Sequence, residues 1–156
     1  MRSNWRWRAI DDDAPWIGTV FVPKIEMLDK LKGTMLKYIS WKDVELEQLN
    51  PLLDRQMITG DKLMLARVLL KKGCVVPEHS HENEQLTYIL EGALKFWIDG
   101  KEIIVRAGEV LCIPSHMPHK AEAVEDTVDL DVFYPPRQDW LSKSDGYLRG
   151  PTATRK

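Results

Sequence analysis

Apolar and polar positions alternate in short runs over most of the chain, and glycine or proline closes nearly every run. Leu63 to Leu70 is the first clear strand, ended by Lys71-Lys72-Gly73. Gln85 to Leu90 is a second, ended by Glu91-Gly92. Ala93 to Ile98 and Lys101 to Val105 flank Asp99-Gly100, the signature of a two-residue type I′ hairpin. Pairing Ile98 with Lys101 sets Phe96 opposite Ile103 and Leu94 opposite Val105, so the apolar pairs share one face. Ala107-Gly108 predicts the next turn and Glu109 to Ile113 the next strand. Pro114 and Pro118 bracket a loop, and Val128 to Phe133 forms a last strand stopped by Pro135-Pro136. Short, closely spaced strands of this kind predict an all-β antiparallel barrel or sandwich.

Three regions differ in character. Residues 1–35 form an N-terminal extension whose run Trp16 to Val22 reads as an extra strand, stopped by Pro23. It is placed to cover a sheet edge or to cross to a second subunit. Residues 36–141 carry the barrel. Residues 142–156 are polar, with Gly146, Gly150 and Pro151, and are expected as a loosely held tail. The segment Asp43 to Leu49 reads as one or two turns of helix, interrupted by Asn50-Pro51.

Composition narrows the function. The chain has 156 residues, suited to one domain, and 44% of them are hydrophobic. A net charge of −2 gives no electrostatic footprint for nucleic acid or for an anionic membrane. No apolar run approaches the roughly 20 residues that span a bilayer. The first ten residues lack the apolar core of a secretory signal, and Asp11-Asp12-Asp13 follows them. A cytoplasmic location is the default. Cys74 and Cys112 match no zinc motif and are expected as buried free thiols on strands.

The four histidines fall in two short segments: His79 and His81, then His116 and His119. A spacing of two puts His79 and His81 on one face of an extended strand. Gln85 begins the next strand and can present its amide oxygen to the same point. His119 must return from a distant segment. Neutral imidazoles are the usual protein ligands of Zn, Cu, Fe and Ni. Three of them with one neutral amide oxygen leave coordination positions open, as a Lewis-acid site requires. Glu84 is the rival to Gln85, but strand alternation turns it the other way. His116 precedes a loop proline and is expected in solvent or behind the ligands.

The two segments resemble the two cupin motifs. The first runs from Gly73 through His79, His81 and Gln85 to Gly92, with a Gln where many cupins have a metal-binding Glu. The second runs from Gly108 through Pro114 and His116 to His119, with His116 in place of the usual Gly and the final Asn missing. The resemblance implies a double-stranded β-helix, the jelly-roll barrel. The stretch Asp131-Val-Phe133-Tyr-Pro-Pro-Arg137 is similar to the end of the KdgF-type cupins of pectin and alginate degradation. Those proteins also use a Gln as fourth ligand, and they open unsaturated uronate rings to linear keto sugars. The resemblance implies catalytic roles for Asp131, Phe133 and Arg137 and one divalent cation, Mn, Fe, Ni or Zn, on His79, His81, Gln85 and His119.

Alternation puts Asp129, Asp131 and Phe133 on one face of their strand. Alternation alone makes that face solvent-exposed; the family likeness turns Asp131 into the lumen, and Asp129 is expected to stay in water. Arg137 would hold a substrate carboxylate, against a surface ion pair with Asp139 as the plain reading. The alternatives are a cupin dioxygenase, an isomerase of another small molecule, or a non-catalytic ligand-binding module. Trp16, Tyr88 and Trp97 suggest a homodimer formed through sheet faces.

Overall fold

A computed structural model of the chain describes residues 36–149. The strands are β1 (Glu47–Asn50), β2 (Leu53–Thr59), β3 (Met64–Leu70), β4 (Val75–His79), β5 (Glu84–Glu91), β6 (Ala93–Ile98), β7 (Lys101–Arg106), β8 (Val110–Ile113), β9 (His119–Ala123) and β10 (Thr127–Tyr134). A short helix, α1 (Gln138–Leu141), follows them. Two antiparallel sheets result, one ordered β1-β2-β3-β10-β5-β8 and the other β4-β9-β6-β7. They face each other as a jelly-roll barrel, the two-sheet solution that shields β-edges.

The hairpin adopts the expected register, with Ile98 opposite Lys101, Phe96 opposite Ile103 and Leu94 opposite Val105. Asp99 and Gly100 both take positive φ, 51° and 68°, as a type I′ turn demands. Along β3 and β10 every second residue is buried, starting from Met64 and from Thr127. The inner rows of the large sheet therefore read across strands: Thr59–Met64–Phe133–Gln85, Met57–Ala66–Asp131–Thr87, and Arg55–Val68–Asp129–Ile89. Leu94, Phe96 and Ala121 close the core from the small sheet.

Several expectations need correction. Residues 43–49 do not form a helical turn or two: a 3-10 turn spans Trp41–Asp43, and Glu47–Asn50 is strand β1. Pairing with β2 wins over local helix preference, because Glu47 lies opposite Arg55 and Leu49 enters the core. Cys74 is buried but Cys112 is exposed, since β8 turns it to the outer face. Asp145 and Leu148, expected in a loose tail, are 0% and 5% exposed. Arg55 faces Asp145 at 2.8 Å, and Asn50 Nδ2 donates to the Leu148 carbonyl at 2.8 Å. The strand read at Trp16 to Val22 lies outside the described residues. Among the described residues no helix is long and apolar enough to cross a membrane.

Candidate metal centre

His79 ends β4 and lies opposite His119, the first residue of β9. His81 follows in the loop toward β5. The ring centroids lie 4.3 Å apart for His79 and His119, 5.2 Å for His81 and His119, and 5.7 Å for His79 and His81. One ligand nitrogen from each lies within 4.8 Å of the others, so the triad can hold a metal ion.

The second nitrogen of each ring is already committed. Nδ1 of His79, His81 and His119 donates to the carbonyls of Pro77, Asn83 and Met117, at 2.9, 2.9 and 2.8 Å. A carbonyl only accepts, so Nδ1 carries the proton and each Nε2 lone pair is free. Backbone partners of this sort fix tautomer and ring orientation in metal sites. Burial, first of all, holds His79 and His81 down to about 4, and the Arg137 guanidinium and any proton taken up by His119 act in the same direction. Burial lowers His119 as well. All three are therefore neutral at pH 7, the form that binds metal.

Gln85 is buried on the inner face of β5, whereas Glu84 is exposed on the outer face. The Gln85 amide nitrogen donates to Thr87 Oγ1 and to Asp131 Oδ1, both at 2.8 Å. Its oxygen is thereby turned toward His81 Nε2, 3.1 Å away. With the His81 proton on Nδ1, two lone pairs face each other there, an arrangement that a shared cation relieves.

Asp131 is buried and also accepts from the Thr87 hydroxyl. Burial pushes its carboxyl up to about 6 against the lowering effect of Thr87, Gln85 and Arg137. Asp129, expected in water, is 4% exposed and lines the same cavity. Its alternate-residue spacing from Asp131 places both on the lumen face, because the outward face of β10 is the apolar one, Val128, Leu130 and Val132. Burial and the nearby Asp131 raise the Asp129 carboxyl well above the ordinary range.

Phe133 sets its ring edge-on to His81 at 5.7 Å. Arg137 is no surface residue: it is 1% exposed, and its guanidinium lies over Phe133 and Trp140. It does pair with Asp139, through Nε at 2.9 Å and Nη2 at 2.7 Å. Nη2 also donates to the Tyr147 hydroxyl at 2.8 Å. Tyr147 in turn stacks on His79, with centroids 4.7 Å apart. His116 is exposed, and its backbone takes φ 62° while its N–H donates to the His81 carbonyl at 2.7 Å. That left-handed φ explains why a glycine commonly sits at this motif position.

Sequence reasoning missed Thr87, Trp140 and Tyr147. Thr87 had a signal, since it shares the period-two face of Gln85. The other two lie beyond the last strand, where no periodicity points inward.

Comparison with known proteins shows the family to which the fold belongs. The cupin domain family matches residues 66–134. An uncharacterised protein of Methanocaldococcus jannaschii is 33% identical over 54% of this chain and 70% of its own length. The chain belongs to the cupin family. The pectin degradation protein KdgF of Dickeya dadantii is 28% identical over 69% of this cupin and the whole of the relative. The structure of KdgF from a Halomonas species superposes with TM-score 0.64 at 26% identity, covering 68% of this cupin and 99% of that chain. The likeness to KdgF thus extends over about two thirds of this chain.

Proposed function

We propose that this cupin opens the ring of a small unsaturated uronate, using one divalent cation held by His79, His81, Gln85 and His119. The observation that carries the reading is the bond from Gln85 to Asp131. It ties the fourth ligand to the one carboxyl group whose pKa, about 6, suits proton transfer near neutral pH. Similarity to a pectin degradation protein supports the substrate class.

A cation bound there would supply Lewis acidity, polarising a substrate oxygen. Three imidazoles and an amide suit Mn, Fe, Ni or Zn. The chain's own groups do the rest. Opening a hemiacetal breaks the bond between the anomeric carbon and the ring oxygen. A proton leaves the anomeric hydroxyl as that carbon becomes an aldehyde, the ring oxygen departs as an enolate, and one proton is gained at the enolate's carbon as it becomes a ketone. Asp131, poised between ionised and neutral, takes the first proton and returns the second, so the net change is an isomerisation. Arg137 holds the substrate carboxylate: its Nε and Nη2 are engaged, and Nη1 is the guanidinium nitrogen left for a ligand. Phe133 and Trp140 wall the site and keep water away from the transfer.

The deciding experiment incubates metal-loaded protein with a 4,5-unsaturated galacturonate monosaccharide and follows loss of the ring enol-ether absorbance. Conversion that disappears in Asp131→Asn with metal content unchanged supports the reading. An inert wild-type protein of full metal content sinks it.

The same reading includes a homodimer. Leu86, Tyr88 and Leu90 on β5 and Val110 on β8 are exposed on the outer face of the large sheet. Apolar clusters of this kind mark contact surfaces. Trp97 does not add to it, because it lies on the other sheet under the ammonium groups of Lys95 and Lys120. Sedimentation of wild type against Tyr88→Glu checks the assembly.

A further inference from the structure

The cavity beside the histidines contains polar atoms that the reading above leaves idle. Arg55 on β2, Val68 on β3 and Asp129 on β10 are register partners in one row of the large sheet. Arg55 and Asp129 are 1% and 4% exposed, and both line the cavity that His79, His119, Asp131 and Arg137 line. Among the described residues, Arg55 Nε and Asp129 Oδ1 are buried without a hydrogen-bond partner. A buried donor and a buried acceptor left unmade are each costly, and native proteins seldom keep them without use.

The two residues can serve one group. They rise from the same sheet face with one strand between them, their Cα atoms about 10 Å apart by strand spacing. The side chain between them is only a valine. The Arg55 guanidinium lies over the Trp140 ring at 4.3 Å, and that of Arg137 lies over the same ring at 4.7 Å. The idle pair therefore adjoins the anion-binding end of the site.

Charge decides what the pair accepts. Arg55 already faces two carboxylates, Glu47 and Asp145, each at 2.8 Å. Asp129 adds a third carboxyl group. Arg149 pairs with Glu47 at 2.7 Å and with Asp145 at 2.9 Å, so the cluster is charge-balanced and Arg55 has no spare positive charge with which to hold a carboxylate or a phosphate. A hydroxyl has one donor and two acceptor lone pairs, so a single alcohol can receive from Arg55 Nε and pair with Asp129 Oδ1.

We propose that Arg55 and Asp129 form a subsite for a neutral hydroxyl group of the ligand, and that Asp129 is a specificity-determining residue for hydroxylated sugar acids. This deepens the uronate reading and rests on it for the ligand class. The rival occupant is one structural water, for which the cavity, about 50 Å³, has room.

The test uses the full chain, metal-loaded, with two probes: the unsaturated galacturonate for turnover and saturated D-galacturonate for equilibrium binding. Asp129→Val should raise KM and Kd about 100-fold, since a site built to bond a hydroxyl discriminates strongly. Metal content should not change, and the melting temperature should hold or rise as an unpaired buried carboxyl is removed. Asp129→Asn, which keeps an acceptor oxygen, should stay within about 3-fold of wild type. Should the valine variant fail to fold, monodeoxy galacturonates are titrated into wild type. One of them must bind about 100-fold more weakly, and that loss must persist in Asp129→Asn, which keeps the acceptor oxygen, and shrink in Asp129→Ala, which does not. Unchanged KM and Kd in Asp129→Val, or equal binding of every deoxy sugar, means water only and overturns the subsite. Wild type that binds galacturonate without turning over its unsaturated form removes the ring-opening chemistry alone, and the subsite is then judged on Kd. Wild type that binds neither sugar removes both.

Discussion

Gln85 Nε2 donates to Asp131 Oδ1 across 2.8 Å, and this bond decides which way the amide faces. An unanchored glutamine could present either end to His81. Asp131 accepts, so it takes the nitrogen and leaves the oxygen for the cation. One carboxyl group thus serves both the ligand shell and, in the proposed mechanism, the proton transfer.

The double duty separates three variants. Asp131→Asn keeps an acceptor oxygen for Gln85 and Thr87, so metal content should stay near wild type while activity disappears. Asp131→Leu leaves the amide held only by the Thr87 hydroxyl, which can donate as well as accept and so does not fix its orientation, and metal affinity should fall about 10-fold or more, the usual cost of losing a supporting partner. His119→Ala should lower metal stoichiometry several-fold. Elemental analysis of protein purified without a polyhistidine tag checks all three. Equal metal in Asp131→Leu and Asp131→Asn would break the argument.

Arg137 supports a prediction about the substrate's charge. Its guanidinium is held flat by Asp139, Tyr147 and two aromatic rings. Arg137→Lys keeps the charge but loses the planar fork, so KM for the uronate should rise about 10-fold with metal unchanged. Tyr147→Phe removes one bond to the same nitrogen and should give a smaller rise. Steady-state kinetics on both variants reads the order directly; a larger effect from Tyr147→Phe would reverse the assigned roles.

The parts of the fold that periodicity can encode were legible. The Asp99-Gly100 hairpin and its register and the turn glycines follow from local spacing, and the convergence of His79, His81 and His119 was legible through the likeness of two distant segments to the cupin motifs. What escaped depends on partners far along the chain. Strand β2 puts Arg55 inside and buries Gln56 on its other face, where its amide donates to the Trp41 and Val44 carbonyls, which spoils an apolar alternation. Arg55 can be buried only because Glu47 and Asp145 meet it there, and Asp145 comes from the far end of the chain. Asp129 misled for a related reason: alternating Asp and aliphatic residues normally put the Asp in water, and here the lumen is polar. Tyr147 and Leu148 gave no periodic signal, since they follow the last strand as isolated inward residues in a polar stretch.

Two glycines with similar backbones should respond differently to alanine. Gly92 has φ +78°, and a Cβ there would lie 2.2 Å from the Asp126 carbonyl oxygen. Gly108 has φ +86° with nothing within 4 Å of such a Cβ. Gly108→Ala should cost only the left-handed penalty, about 1 kcal/mol. Gly92→Ala adds a clash with backbone that cannot move aside, and should cost more than about 3 kcal/mol. Urea unfolding of the two variants measures both, and equal losses would remove the close approach at Gly92 as the reason for its glycine.

The pH dependence of metal-free stability contains two opposing slopes inside one site. His79 and His81 are held down to about 4, below the 6.5 of an unfolded chain. The unfolded state then binds more protons between those values, so their contribution is complete above pH 6.5 and is lost as pH falls toward 4. Asp131 runs the other way. Its folded value, about 6, lies above the unfolded 3.8, so its contribution is present below pH 3.8 and is lost as pH rises through 6. Between pH 4 and 6 the histidines favour the higher pH and Asp131 the lower, which flattens the wild-type curve. Asp131→Asn removes only the second slope. Its stability relative to wild type should therefore improve steadily from pH 4 to 6, as read by thermal melts in chelator at closely spaced pH values. A difference between the two proteins that stays constant over that window would mean Asp131 does not take up its proton near 6, and the proposed proton transfer would lose its donor.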